Sequence, residues 1–334
     1  AFLGHQPYGR DILFWNLDQR DAGFRMLDRV PFIIKSRPVA AGDEVHPLPE
    51  GVPLDLDMDM DAYLAANRTA GLVVVHDGAV RLERYGLDFK QDGRWTSFSV
   101  AQLLTMTSGI AWNEDYDDPT SDVALFDTQV VESGKSAVAT YMATLPRAHP
   151  PGQVWNYSTG ETNLIGVLVS RATGEQLADY LSEKVWQPYG MQQDASWLLG
   201  TDGNEISGCC IQASVRDFAR FGQFILDGGM VGGAPVLPDG WLADATRKQV
   251  DYGAPGEGYG YQWWTWDDGS FQADGIFGQG IFIDPARNLV IASNSSWTSA
   301  LGDKDGEFDA RRDFYKTVQR AIDAEIVAAG GAQD

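Results

Sequence analysis

Positive charge is scarce in this chain: 25 Lys and Arg stand against 47 Asp and Glu, for a formal net charge of −22 over 334 residues. Phosphate contacts need Lys and Arg, so no nucleic-acid partner is expected and an anionic membrane surface is disfavoured. Acidity of this size predicts a strongly hydrated surface. No run of about 18 apolar residues occurs, so no membrane span is expected. The chain opens at Ala1 without a basic-then-apolar leader. The expectation is a soluble protein whose targeting peptide has been removed or never existed, with cytoplasm and periplasm both open. Cysteine is limited to Cys209 and Cys210. Adjacent cysteines rarely fit disulfide geometry, and the pair reads as two small buried hydrophobes. The four histidines, His5, His46, His76 and His149, are scattered, with no H-E-x-x-H and no C-x-x-C. Neither a catalytic metal nor a cofactor is therefore expected.

Three familiar motifs are also missing. Gly134-Lys135-Ser136 lacks the glycine of a phosphate loop, because position 129 is Gln129. No G-x-S-x-G elbow exists, since Met106 precedes Ser108. Gly258-Tyr259-Gly260 has no third glycine and no helix of the dinucleotide-binding kind.

Hydrophobic residues make up 44% of the chain, enough for one large domain or two lobes. Two β-rich runs, Gly71–His76 and Ala79–Tyr85, flank Asp77-Gly78 and predict a tight hairpin. From about Trp112 to Gly240 the chain reads as helices and loops. Ser214 with Asp217 predicts a capping box, followed by Phe218, Phe221 and Ile225 on one helix face. Strand character returns at Tyr259–Trp266, Gly280–Ile283 and Leu289–Ser293. A last helix carries Phe314, Val318, Ala321 and Ile322 at helical spacing. Long βαβ alternation is absent, which argues against a doubly wound parallel sheet. The expected class is α/β (α+β): an antiparallel sheet formed by both chain ends, flanked by helices, with a mainly helical second lobe. The expected organisation is an extended N-terminal wrap over 1–60, an α/β lobe from 61–110 and 241–334, and a helical lobe over 111–240.

Three blocks bear on chemistry. The first is Arg94-Trp95-Thr96-Ser97-Phe98-Ser99-Val100-Ala101. The second is Gly152-Gln153-Val154-Trp155-Asn156-Tyr157-Ser158-Thr159-Gly160. The third is Gly275-Ile276-Phe277-Gly278-Gln279-Gly280-Ile281-Phe282. Taken singly, each reads more readily as packing than as catalysis: a serine beside aromatics, a packed tyrosine, glycines marking a bulge. In this order, and with Leu103-Leu104-Thr105-Met106-Thr107-Ser108-Gly109 and Trp112-Asn113-Glu114-Asp115-Tyr116, the chain resembles the serine β-lactamase-like (penicillin-recognising) hydrolases. The branch it is most similar to holds class C β-lactamase-like esterases and 6-aminohexanoate-dimer hydrolase. The resemblance runs from about Phe14 to Trp297.

The resemblance implies a serine hydrolase that works through an acyl-enzyme on a small-molecule ester or amide. It makes Ser99 the nucleophile and Tyr157 the base, since a serine hydroxyl needs an adjacent group to take its proton. Gly278, Gln279 and Gly280 become the third motif. The backbone N–H groups of Ser99 and Ile281 become the oxyanion hole. Trp263, Trp264 and Trp112 become candidates for the substrate pocket, with core packing as the rival reading. A homodimer stays open. Two departures bear on activity. The third motif has no lysine to bind a β-lactam carboxylate, which favours an esterase or amide hydrolase over a true β-lactamase. Three residues after Ser99 stands Gln102, and no S-x-x-K occurs anywhere. Either a segment carrying the family lysine belongs between Ala101 and Gln102, or the chain is a non-catalytic ligand-binding relative. Glu114, Asp115, Asp117 and Asp118 are read as a solvated acidic loop or, alternatively, as a negative rim favouring amine-bearing substrates.

Overall fold

Asp77 and Gly78 both adopt positive φ (51° and 70°), which matches the right-handed twist of the strands they join. The computed structural model describes residues 13–25, 35–87, 94–97, 104–128, 131–132 and 134–330, with backbone alone at 94–97 and 329–330. Ser99 and the Ala101–Gln102 join lie outside the described residues.

In chain order the helices are α1 (Leu17–Phe24), α2 (Met60–Ala66), α3 (Asp122–Leu125), α4 (Ala137–Met142), α5 (Thr159–Thr173), α6 (Leu177–Leu181), α7 (Gln187–Tyr189), α8 (Val215–Leu226), α9 (Trp241–Ala245) and α10 (Glu307–Gly330). The strands are β1 (Ser36–Val39), β2 (Thr69–His76), β3 (Ala79–Tyr85), β4 (Arg94–Ser97), β5 (Ala195–Leu198), β6 (Ile211–Ser214), β7 (Met230–Val231), β8 (Ala234–Pro235), β9 (Glu257–Tyr259), β10 (Trp264–Trp266), β11 (Phe271–Asp274), β12 (Gly280–Asp284) and β13 (Leu289–Ser295).

The hairpin and the late strands share one antiparallel sheet of seven, in the order β3-β2-β13-β12-β11-β10-β9. The two chain ends meet in its centre, where Val74 pairs with Ile291 and Ile291 with Phe282. Side chains alternate across the sheet. Leu72, Val74, Phe282 and Ile291 pack under Phe314, Tyr315, Val318 and Ile322 of α10. Val73, Val75, Ile281 and Val290 face the opposite way, onto Val215, Phe218 and Ala219 of α8. Burial on both faces explains why β2 reads as an unbroken apolar run.

Gly222 brings α8 close to the sheet: a Cβ there would lie 2.5 Å from Val290 Cγ1. Ser214 caps α8 by accepting from Asp217 N at 3.1 Å. Asp217 does not close the predicted box. Its carboxylate takes the Ser214 hydroxyl, Gln192 N and Arg220 Nη1 instead.

Several local expectations are corrected. The region read as mainly helical also contributes β5 and β6 to a second, four-stranded sheet, β1-β5-β6-β4. Both strands are only four residues long, and although Ile211-Gln212-Ala213-Ser214 alternates apolar and polar residues, so short a run does not stand out among the helices and loops around it. The stretch read as an extended wrap includes α1, held by a capping box between Asn16 and Gln19. The Tyr259–Trp266 run breaks into two strands, because Gln262 turns the chain at φ 67°. Cys209 and Cys210, read as two small buried hydrophobes, are joined in a disulfide.

Candidate active site

Tyr157 stands just before α5, where the Ser158 hydroxyl caps the helix by accepting from Glu161 N at 3.2 Å. Asn156 ties this segment to two of the sequence blocks. Its N–H donates to Met106 O at 2.8 Å and its Nδ2 to Trp112 O at 3.0 Å. Ser108 donates to Glu161 Oε1 at 2.5 Å. The Tyr157 ring stacks on Trp264, with centroids 5.7 Å apart, and meets Tyr259 edge-on at 6.3 Å. Neighbouring Trp155 stacks on Tyr252. An aromatic box from the helical region and strands β9 and β10 therefore fixes the phenol.

That phenol lies in the wall of a cavity of about 530 Å³, which also touches Tyr252, Trp264, Trp297, Phe308 and Arg311. A smaller cavity of about 80 Å³ lies beside Thr159, Cys209 and Cys210. The two share Tyr116, Tyr157, Asp274 and Ile276 as common walls.

Carboxylates dominate the local electrostatics. Glu114 turns inward: it accepts from Thr159 N at 2.9 Å and from the Tyr116 hydroxyl at 2.7 Å, and also from Trp112 Nε1 and Thr159 Oγ1. Burial outweighs these bonds and raises its pKa above the usual carboxylate value. Asp274 is likewise raised by burial, although Arg311 Nη2 donates to it at 2.8 Å. The Tyr157 phenol is pushed up first by burial, then by the charges of Glu114 and Asp274. Beyond Glu114, the acidic loop is partly self-satisfied. Asp118 accepts from Thr120, and Asp117 pairs with Lys304 at 2.6 Å.

The third motif lies along the sheet. Gly278 holds φ 91° against the indole of Trp297, where any Cβ would overlap the ring. Gln279 is buried; its Oε1 accepts from Ser295 N at 2.9 Å and its carbonyl accepts from Arg311 Nη1 at 3.0 Å. Gly280 admits Arg311 and Tyr315, each 3.0 Å from a notional Cβ. Ile281 is buried between Ala273 of β11 and Ala292 of β13. Trp264 joins Tyr157 in the cavity wall, whereas Trp263 turns into the core and meets Phe271 edge-on at 5.2 Å. Trp112 is buried beside Phe126 and Tyr141. Ser99 lies outside the described residues; β4 carries the chain to Ser97, two residues before it. Sequence reasoning missed the Asp274–Arg311 pair, because its members lie on β11 and α10 and no local pattern links them. It saw the cysteine pair without seeing that it lines a cavity.

Residues 53–316 match the family model described as Beta-lactamase. A 6-aminohexanoate-dimer hydrolase from Paenarthrobacter ureafaciens is 31% identical over 214 residues, 60% of this chain. That match covers 55% of the relative, so the chain spans little more than half its length. Esterase EstB from Burkholderia gladioli is 26% identical over 275 residues, covering 63% of this chain and 68% of that protein. Among solved structures, one from Bacillus anthracis assigned as a 6-aminohexanoate-dimer hydrolase superposes with a TM-score of 0.77. The superposition covers 96% of this chain and 99% of that one at 21% identity, a likeness of fold. Among the described residues no helix is long and apolar enough to cross a membrane.

Proposed function

The chain belongs to the beta-lactamase family, and on that premise we propose that it is a serine hydrolase forming an acyl-enzyme on Ser99 with small esters or amides. The observation that carries this reading is Tyr157, held by an aromatic box in the wall of a large cavity. In the proposed cycle Ser99 Oγ attacks the substrate carbonyl. Tyr157 relays the proton: its neutral hydroxyl gives its own proton to the departing alcohol or amine as it takes that of Ser99 Oγ. The N–H groups of Ser99 and Ile281 hold the oxyanion. Water then attacks the acyl-enzyme, Tyr157 relays the water's proton to Ser99 Oγ, and the acid leaves as Ser99 is restored. Trp264 forms a flat apolar wall for the acyl group.

Charge argues against a carboxylate-bearing β-lactam. Arg311 is the one cation among the described residues lining the large cavity, and Asp274 neutralises it. Glu114, Glu257, Asp303 and Asp309 line the same cavity, which favours neutral or amine-bearing substrates.

A non-catalytic ligand-binding role is the second reading. It is favoured by a Tyr157 phenol held protonated between two carboxylates, in a chain with no S-x-x-K. Turnover of p-nitrophenyl acetate or butyrate separates the two, and nitrocefin separates esterase from β-lactamase. A fluorophosphonate is expected to label the chain, and Ser99→Ala to abolish labelling. Labelling that survives in the variant refutes Ser99 as nucleophile. Peptide mass spectrometry across Val100 to Leu104 decides whether a lysine-bearing segment lies between Ala101 and Gln102.

A further inference from the structure

The Cys209–Cys210 disulfide lies in the short link between Ile206 and β6, and both residues line the small cavity next to Tyr157 and Thr159. The backbone around it is gripped from two elements, α5 and β5. Gly208 N donates to Asn163 Oδ1 on α5 at 3.1 Å. Trp197 Nε1 donates to Cys209 O at 2.8 Å, and Leu198 N to Cys210 O at 3.1 Å. Cys210 holds φ 82°, a left-handed conformation that a residue with a Cβ adopts only when its surroundings impose it. Cys210 is buried in an apolar cluster with Cys209 packed partly buried against it, and both also touch the cavity.

We propose that this pair is a redox-switched site in the cavity wall: a disulfide as it stands, and after reduction a dithiol that takes one trivalent arsenical. Placing it beside a substrate site rests on the function proposed above; the thiol chemistry does not. Reduction by a dithiol reagent transfers two electrons and two protons to the cysteines, and the reagent leaves as its cyclic disulfide. The two thiols then stay together because they sit on consecutive residues, and paired soft sulfur ligands favour a soft acceptor. With phenylarsine oxide two As–S bonds form, and the arsenic-bound oxygen leaves as water with the two thiol protons. A cavity of about 150 Å³ is enough for benzene alone, so the adduct overfills the space of about 80 Å³ beside the cysteines, whose other walls include Tyr157, and crowds the phenol.

The chain has only two cysteines, so thiol chemistry on the full chain reports this site alone. Intact mass spectrometry is expected to show no iodoacetamide uptake before reduction and two additions after dithiothreitol. The reduced chain takes up one phenylarsine oxide and is then refractory to iodoacetamide. Ester turnover falls tenfold or more on arsenical addition to the reduced chain, and excess dimercaptopropanol restores it. The unreduced chain and Cys209→Ser, which retains a single thiol, do not respond. Two alkylations without reductant, no adduct on the reduced chain, or an adduct that leaves turnover unchanged overturns the proposal. A chain that hydrolyses no ester in either redox state refutes the hydrolase reading, and the alkylation and arsenical stoichiometry still decide the dithiol site.

Discussion

Tyr157 is the residue on which the proposed chemistry turns, and its surroundings oppose ionisation: burial, Glu114 and Asp274 all keep its proton on. Its hydroxyl takes no part in the stacking of its ring on Trp264, so removing the hydroxyl separates chemistry from packing. Tyr157→Phe is expected to lower kcat by about 10²–10⁴-fold, the usual contribution of a positioned acid–base group, with little change in KM or melting temperature. A variant of undiminished kcat rules out Tyr157 as the proton carrier. Asp127 offers a second test. Burial, reinforced by Asp202, raises its carboxyl to about 6 although Thr201 N donates to it. An unfolded aspartate titrates near about 3.9. Between those values the folded chain keeps a proton that the unfolded chain has lost, so stability falls as pH rises through this window and stays low above it. Asp127→Asn keeps an oxygen for Thr201 N and removes the titration. Thermal melts are expected to show a higher melting temperature for the variant above pH 6, and a smaller advantage near pH 4. Parallel curves for the two proteins would remove Asp127 as the cause.

At the scale of elements, α8 and β12–β13 are joined through the absence of a side chain. Alanine is about 1 kcal/mol better than glycine inside a helix. At Gly222 a Cβ would press on Val290 and Ile281, both buried at the centre of the sheet. Overpacking is expected to win, and Gly222→Ala to destabilise the chain by about 1–3 kcal/mol in urea titrations. A stabilised variant would mean that α8 can shift away from the sheet at little cost. The helix itself was legible in sequence, from Ser214 as cap and Phe218, Phe221 and Ile225 as face. So was α10, from the spacing of Phe314, Val318 and Ile322. β5 and β6 were not, since four residues are too short a run for an alternation, even that of Ile211-Gln212-Ala213-Ser214, to stand out. The partners of Asp217 were hidden for a different reason. Gln192 and Gln193 belong to the turn before β5, and only folding sets that turn against the start of α8.

The whole molecule carries a formal charge of −22. With 47 Asp and Glu against 25 Lys and Arg, many of its carboxylates can find no cation, so like-charge repulsion opposes the folded state at low ionic strength. Added salt shortens the Debye length from about 30 Å at 0.01 M to about 8 Å at 0.15 M, which relieves that repulsion faster than it weakens close ion pairs. The melting temperature is expected to rise between these two sodium chloride concentrations. A flat or falling melting curve would show that short-range pairs such as Arg216–Glu83 outweigh the net field.

Local patterns in the sequence were enough for the antiparallel sheet built from both chain ends, its Asp77-Gly78 hairpin, the two covering helices and the family blocks around Tyr157 and Gly278. Each of these is a property of a few neighbouring residues: turn chemistry, a face that repeats with the helical period, a motif of fixed spacing. Tertiary structure alone decided that Trp264 rather than Trp263 faces Tyr157, that Glu114 turns inward, that Arg311 reaches Asp274, and that the cysteine pair lines a cavity. The physical reason is the same in all four cases. Periodicity says which residues share a face, whereas which faces meet depends on strand order and on how α8 and α10 cover the sheet. Those are set by contacts between residues far apart in the chain, and no local spacing encodes them.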